Sequence, residues 1–326
     1  MGEALLAGID GGGTKTAGVL LTATGRVLAT ATTGPSILDA RPGARACAEL
    51  RAAADALCER ASVDRDAVTF WGLGVNGVDF ADEHAAQHAA VCGHLGIPAD
   101  RTVLVNDGIG ALWGASSEAR SVNVQHGTGF TAAYRSRLGS EELFDHLGTG
   151  LVFDIRRQVL PLVVRMIDGR RPATSLRDAI LAHFGVGDPR QFSAAVYRRR
   201  FPRHLLKTTQ KVVLCAWRDG DPAAESLLAA AIEDYALAAG AMAAHIGPGR
   251  PASVTFGGGM ISHWPAELWE RLACAARRAC PKARVHAPLL SPAYGNAVMA
   301  AHHAGMEAGA LFIGIRENGV RNEGVA

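Results

Sequence analysis

The chain has 326 residues, 48% hydrophobic and 20% charged, which is enough apolar material for a substantial core and excludes disorder over most of its length. Lys plus Arg (33) nearly balances Asp plus Glu (31), so a polyanionic nucleic-acid partner is not expected. Six cysteines (Cys47, Cys58, Cys92, Cys215, Cys274 and Cys280) are scattered without a CxxC pair, against a disulfide scaffold or a zinc ribbon. The N-terminus lacks the basic region of a signal peptide, and the apolar helical stretch at 235–247 is too short to span a bilayer, so the expectation is a cytoplasmic protein with no membrane partner.

In chain order, 5–9, 15–21 and 26–32 read as three strands of an antiparallel meander, with Ala23-Thr24-Gly25 as one of its turns. A helix follows at 44–61, where Leu50, Ala53, Ala54 and Leu57 share one face. Then come a buried strand at 68–75, a helix at 82–93, a strand at 102–106 and a helix at 108–115. A second unit starts near Ser121, with strands at 121–125 and 130–135. Helices are expected at 155–168, 175–184, 191–200 and 222–246, a strand at 253–256, a helix at 264–279, a strand at 284–286 and a helix at 294–305. The polar tail from Gly314 reads as frayed. Each half opens with a Gly-bearing turn between two strands, without a repeat in the sequence itself.

Four places carry chemistry. Asp10-Gly11-Gly12-Gly13-Thr14-Lys15-Thr16 is neither a P-loop nor a dinucleotide fingerprint, because the chain continues as strand instead of opening a helix. Three glycines allow several backbone N–H groups to approach an anion; Thr14 and Thr16 add hydroxyls, Lys15 adds charge, and Asp10 is placed to hold a hydrated Mg²⁺. His126-Gly127-Thr128-Gly129 occupies the equivalent turn of the second unit, and the pair suggests a two-part phosphate clamp. Gly257-Gly258-Gly259 follows a strand and allows a flat ligand such as a nucleoside to approach, although it also reads as an ordinary helix entry. Asp107, after Asn106 at the end of a strand, is placed to take a proton from a substrate hydroxyl; its alternative is a simple helix N-cap.

In this order, with Gly34-Pro35-Ser36, Gly72-Leu73-Gly74 and Pro292-Ala293-Tyr294-Gly295-Asn296-Ala297, these motifs resemble the actin / Hsp70 / sugar-kinase superfamily. The closer resemblance is to the BadF/BadG/BcrA/BcrD-type ATPases, a family that includes N-acetylglucosamine kinase. It implies an α/β fold of two ribonuclease-H-like (actin-like ATPase) domains with a cleft between them, at 1–118 and 119–326, the second with a helical insertion at about 155–246. It also implies ATP and Mg²⁺ as cofactors, with phosphates held by Gly11, Gly12, Gly13, Thr14, Lys15, Thr16, Gly127, Thr128 and Gly129, and adenosine by Gly257, Gly258 and Gly259. Asp107 would be the catalytic base and Asp10 the metal residue. A small sugar-like acceptor would meet Ser36, Asp39, Asn106, Asp107, Asp145, His146, Gly148 and Thr149, and a homodimer is common in the family.

The chain departs from the amino-sugar kinases where the acceptor binds. They carry Asn soon after Gly-Pro-Ser, where this chain has Ile37-Leu38-Asp39, and they carry an acidic GDEGS-like segment where it has Gly148-Thr149-Gly150. Asp39, Asp79, Asp145 and His146 are then candidates for new hydroxyl contacts or for purely structural roles. The leading expectation is a kinase acting on a hydroxyl of a sugar or sugar-like molecule with an altered acceptor. The alternatives are an ATPase that activates a partner enzyme, and a nucleotide-binding pseudokinase.

Overall fold

The computed structural model describes residues 3–144 and 153–319. In the first sheet, β1 (Leu5–Gly11), β2 (Thr16–Thr22) and β3 (Val27–Thr33) form the antiparallel meander. The chain then passes through α1 (Ala48–Ala61) to β4 (Phe70–Val75), and through α2 (Ala81–Leu95) to β5 (Thr102–Val105). β4 runs parallel to β1 and β5 parallel to β4, giving the order β3-β2-β1-β4-β5. Strand side chains alternate between faces. On one face Ala7, Ile9 and Leu20 pack with Leu50 and Leu57 of α1. On the other, Leu6, Val19 and Leu21 pack with Ala297 and Ala301 of α10 (Pro292–His303). Both faces are covered, which is why these strands read as near-continuous apolar runs.

The second sheet repeats that arrangement. β6 (Ser121–His126), β7 (Phe130–Arg135) and β8 (Glu141–Leu143) form a meander, and β9 (Ala252–Gly257) and β10 (Ala283–His286) add parallel strands on the other side of β6. The order β8-β7-β6-β9-β10 has the connectivity of the first sheet. The fold is therefore two ribonuclease-H-like sheets of five strands each, as the motif order implied. β8 was not among the expected strands: it is three residues long, two of them Glu, and its place on the edge comes from pairing with Ala133–Arg135.

α3 (Asp107–Ala115) crosses α10 at close range, and α10 in turn lies against β1 and β4. Glycines make this possible. A Cβ on Gly72 would fall on the backbone oxygen of Asn296, and one on Gly295 on the amide nitrogen of Gly114. Asn296 is fully buried and donates to the Ile9 carbonyl at 2.7 Å. Gly72-Leu73-Gly74 and the Pro292–Ala297 segment thus owe their composition to backbone packing. The far end of α3 is held by Arg135, fully buried above the Trp113 ring at 4.7 Å and donating to the carbonyls of Ser116 and Glu118.

The chain divides into two compact units: one of Met1–Gly148, Ala239–His263 and Arg277–Ala326, the other of Thr149–Ala238 and Trp264–Ala276. The second unit is helical, with α4 (Ile155–Ile167), α5 (Ser175–His183), α6 (Pro189–Tyr197), α7 (Arg203–Arg218), and parts of α8 (Pro222–Ile246) and α9 (Ala266–Ala279). α7 falls where no element was expected. Its sequence is rich in Lys, Thr and Gln, but Thr209, Gln210, Val213, Leu214 and Ala216 form a buried stripe at helical spacing. α11 (Ala308–Glu317) likewise replaces part of the expected frayed tail, because Leu311, Phe312 and Ile315 enter the core against the first sheet.

The length argument against a bilayer span also needs correction. The apolar stretch belongs to the 25-residue helix α8, which is long and apolar enough to cross a membrane by length and composition alone. Here Leu228, Ile232, Tyr235, Ala239 and Met242 form a buried stripe, the pattern of a core helix.

Candidate functional site

The first turn grows out of the β1–β2 hairpin, whose last pair is Gly11–Thr16. The Gly12 N–H donates to the Lys15 carbonyl at 3.0 Å and closes the bend, leaving Thr14 and Lys15 exposed. Thr16 is buried; its hydroxyl donates to the Gly34 carbonyl at 2.8 Å and lies 2.6 Å from the hydroxyl of Ser36, also buried. These two residues, expected at the phosphates and the acceptor, tie the turn to the 34–36 loop. The Ser36 N–H adds a bond to the Gly12 carbonyl at 3.0 Å.

The second turn sits at the end of β6, with the Gly127 N–H on the Gly129 carbonyl at 2.9 Å. It meets the first: the hydroxyls of Thr128 and Thr14 are 2.9 Å apart. The third turn follows β9, the strand next to β6. The Met260 N–H donates to the His126 carbonyl at 2.8 Å, and Gly258 takes φ +85°, where a Cβ would stand 2.5 Å from that same carbonyl oxygen. Gly259 is exposed, and a Cβ on Gly127 would lie 4.0 Å from its nitrogen. Three Gly-bearing turns separated by more than 100 residues in sequence are thus brought together at the carboxyl ends of β1, β6 and β9, the side of an α/β sheet at which ligands gather.

β5 delivers Asn106 and Asp107 beside them. The N-cap of α3 is Asn106: its Oδ1 accepts from the Gly108 N–H at 2.7 Å, and its Nδ2 donates to Asp79 Oδ1 at 2.7 Å. Asp107 is the first residue of the helix, so its carboxylate does not serve as the cap. Both Asp107 and Asp10 retain some exposure, yet burial dominates their protonation. Burial pushes Asp10 up to about 7, with the negative charge of Asp107 adding to the shift and Lys15 opposing it. Burial pushes Asp107 up to about 6, opposed by a hydrogen bond from the Asn76 side chain and by the Gly108 N–H, and reinforced by Asp79. The two carboxylates therefore feel one another, the situation in which a cation between or beside them is stabilised.

Asn76 was missed by sequence reasoning. Its N–H donates to the Gly11 carbonyl at 2.8 Å, its carbonyl accepts from the Leu38 N–H at 2.9 Å, and its side chain holds Asp107. One residue thus joins the first turn, the 36–38 loop and the carboxylate at the start of α3. Asn76-Gly77 reads as an ordinary turn signal, and Gly77 does take φ +93° against the backbone of Leu38. The tertiary contacts, including the parallel bridge between Ile37 and Asn76, reveal the second role.

The remaining expected residues divide. Ile37 is 57% exposed, between the buried Ser36 and Leu38, and its Cδ1 lies 3.7 Å from where a Cβ of Gly13 would be. Asp39 is exposed and its carboxylate accepts from the Arg41 N–H at 3.1 Å within its own loop. Asp79, bonded to Asn106, is the acid beside Asp107. Asp145, His146, Gly148 and Thr149 lie outside the described residues. Among the described residues, no group of three or more His, Cys, Asp or Glu side chains is arranged to hold a metal by itself.

Residues 7–300 match the model of the BadF/BadG/BcrA/BcrD ATPase family. No curated protein matches the chain. Among solved structures, a Chromobacterium violaceum protein provisionally described as an N-acetylglucosamine kinase is similar with TM-score 0.65 and 25% identity, over 91% of this chain and 99% of that one. A ROK family glucokinase from Streptomyces griseus, in complex with glucose and AMPPNP, gives 0.57 and 19% over 92% of this chain and 98% of that one. A ROK hexokinase from Thermus thermophilus gives 0.55 and 20% over 92% and 97%. At 19% and 20% identity, the latter two speak for the fold alone.

Proposed function

Because the chain belongs to the BadF/BadG/BcrA/BcrD ATPase family, we propose that it is an ATP-dependent kinase transferring the γ-phosphoryl group to a hydroxyl of a small sugar-like acceptor. The observation that carries this reading is the meeting of the two turns through Thr14 and Thr128, with the Asp10–Asp107 pair at the same end of the sheets. In this reading residues 1–118 and 119–326 form the two lobes, and the enzyme works in the cytoplasm, where ATP is available.

Phosphoryl transfer asks a protein chiefly for positioning and charge neutralisation. The tips of the two turns, at Gly13–Lys15 and Thr128–Gly129, present backbone to the phosphates, Thr14 and Thr128 add hydroxyls, and Lys15 adds a positive charge. Gly257–Gly259 offers a flat backbone surface to the nucleoside. Asp107 accepts the proton of the acceptor hydroxyl as its oxygen bonds to the γ-phosphorus and the bond to the β-phosphate bridging oxygen breaks, releasing ADP. Asn76 and the Gly108 N–H hold that carboxylate in its charged form and in place. The donor set suits Mg²⁺ held by one carboxylate, Asp10, with phosphate oxygens and water completing its shell, since magnesium seldom takes an all-protein cage. Bound there, the ion would neutralise charge on the phosphates, and the pressure of burial on Asp10 would be relieved.

The acceptor differs from an amino sugar where Ile37 presents carbon in place of an amide, so a ligand with fewer hydroxyls on that side is favoured. An ATPase reading without sugar phosphorylation draws no support from the site.

The test is an ADP-release screen over amino sugars, neutral hexoses, anhydro sugars and cyclitols, with wild type and Asp107→Asn in parallel. Turnover on one acceptor class that collapses in the variant is expected. Acceptor-independent ATP hydrolysis, or turnover equal in the two proteins, would overturn the proposal.

A further inference from the structure

The helical unit holds a half-open groove of about 460 Å³ between α4 and the first half of α8, lined at one end by the segment joining α4 to α5. That is within the range of roughly 300–1,000 Å³ found for small-molecule sites. Its walls combine apolar side chains with Gln158, Thr174 and Ser226. Leu162 and Met166 come from one stripe of α4, Leu227 and Ala230 from the facing stripe of α8, and Phe153 from the approach to α4. Two helices present apolar stripes to a groove that stays open to solvent on one side.

The charged residues lining the groove are both cations, Arg165 and Arg171. Both are exposed, and their backbones are tied together, the Arg171 N–H donating to the Arg165 carbonyl at 2.8 Å. Their neighbours are committed elsewhere: Arg156 to Asp154 at 3.0 Å, Arg170 to Asp168 at 2.6 Å and Arg177 to Asp178 at 2.8 Å. Arg165 lies within electrostatic reach of Asp168, but that carboxylate is already held by Arg170. Among the described residues neither Arg165 nor Arg171 forms an ion pair. The acid at the head of α8, Asp221, is buried and accepts from the Ser175 hydroxyl and the Leu176, Ala223 and Ala224 N–H groups, so its charge is spent inside the unit.

We infer that this groove is a binding site for an amphipathic anion, a small molecule with an apolar body and one anionic head group. The body lies between α4 and α8, and the head group meets the guanidinium groups of Arg165 and Arg171, which suit a planar, bidentate oxyanion. The site is independent of the phosphotransfer reading, since it shares no residue with the glycine turns or with Asp107.

The probes are decanoate, decanol and decyltrimethylammonium below their aggregation limits, titrated calorimetrically into the whole protein. Decanoate is expected to bind at least tenfold more tightly than the cation of the same chain length. Arg165→Gln/Arg171→Gln should erase that discrimination while leaving decanol binding in place. Ser226→Trp, at an exposed position on the groove wall, should weaken both decanoate and decanol tenfold or more with an unchanged melting temperature. The inference is overturned if decanoate binds no better than the cation, if the preference survives loss of both arginines, or if Ser226→Trp leaves binding intact.

Discussion

The glycine turns and the region around Asp107 are neighbours in space but are built by different means. The turns are made of backbone: consecutive glycines, hairpin bonds such as Gly12 to Lys15, and a left-handed Gly258 under the end of β6. The Asp107 region is made of side chains from two connections: Asn76 and Asp79 between β4 and α2, and Asn106 after β5. A turn made of backbone tolerates change around it as long as its glycines remain. A side-chain network of this kind takes its chemistry from each partner.

The largest expected effect lies in the side-chain region. Under the proposed mechanism Asp107→Asn removes the proton acceptor while keeping shape, and acceptor-dependent turnover should fall by about 10²–10⁴-fold, with ATP affinity changed little. If ATP affinity collapses as well, the two regions are not separable. Next comes the packing beneath both. Gly72→Ala places a methyl group on the Asn296 carbonyl of α10; a loss of about 1–3 kcal/mol or more is expected, read as a lower urea midpoint.

Asn76→Ala sharpens the contrast through pH. A hydrogen bond to the charged carboxylate lowers its pKa, so losing it raises Asp107 above about 6 in the free enzyme. Activity requires the deprotonated base, so the acidic limb of kcat/KM should move to higher pH, and the variant should regain much of its rate above neutrality. A uniform loss at every pH would show that Asn76 only supports the fold. The smallest effect belongs to the turns. Thr128→Val breaks an exposed hydroxyl contact with Thr14 worth about 0.5–1.5 kcal/mol, so KM for ATP should rise by roughly threefold to tenfold while kcat holds.

Much of the fold was legible because its signals are local. Buried strands announce themselves as apolar runs, and the hairpin turns as glycine clusters. β8 escaped because an edge strand of three residues with two glutamates has no hydrophobic pattern of its own. α7 escaped because its buried face includes Thr209 and Gln210, which look polar until neighbouring helices cover them. The site shows the same division. The turns were found from composition, whereas the N-cap at α3 belongs to Asn106 and frees Asp107, a distinction between adjacent residues that depends on backbone geometry. Asn76 went unnoticed because its partners Gly11, Leu38 and Asp107 are distant in sequence.

Sequence alone determined the alternation of strand and helix, the places where backbone can approach an anion, and the carboxylates available to meet it, since these follow from side-chain periodicity and the steric freedom of glycine. Tertiary structure decided which of them share a site. Thr14 meets Thr128, Asp10 feels Asp107, and Thr16 and Ser36 turn inward, because two sheets of the same topology bring their strand ends together and burial sets the protonation of whatever lies there.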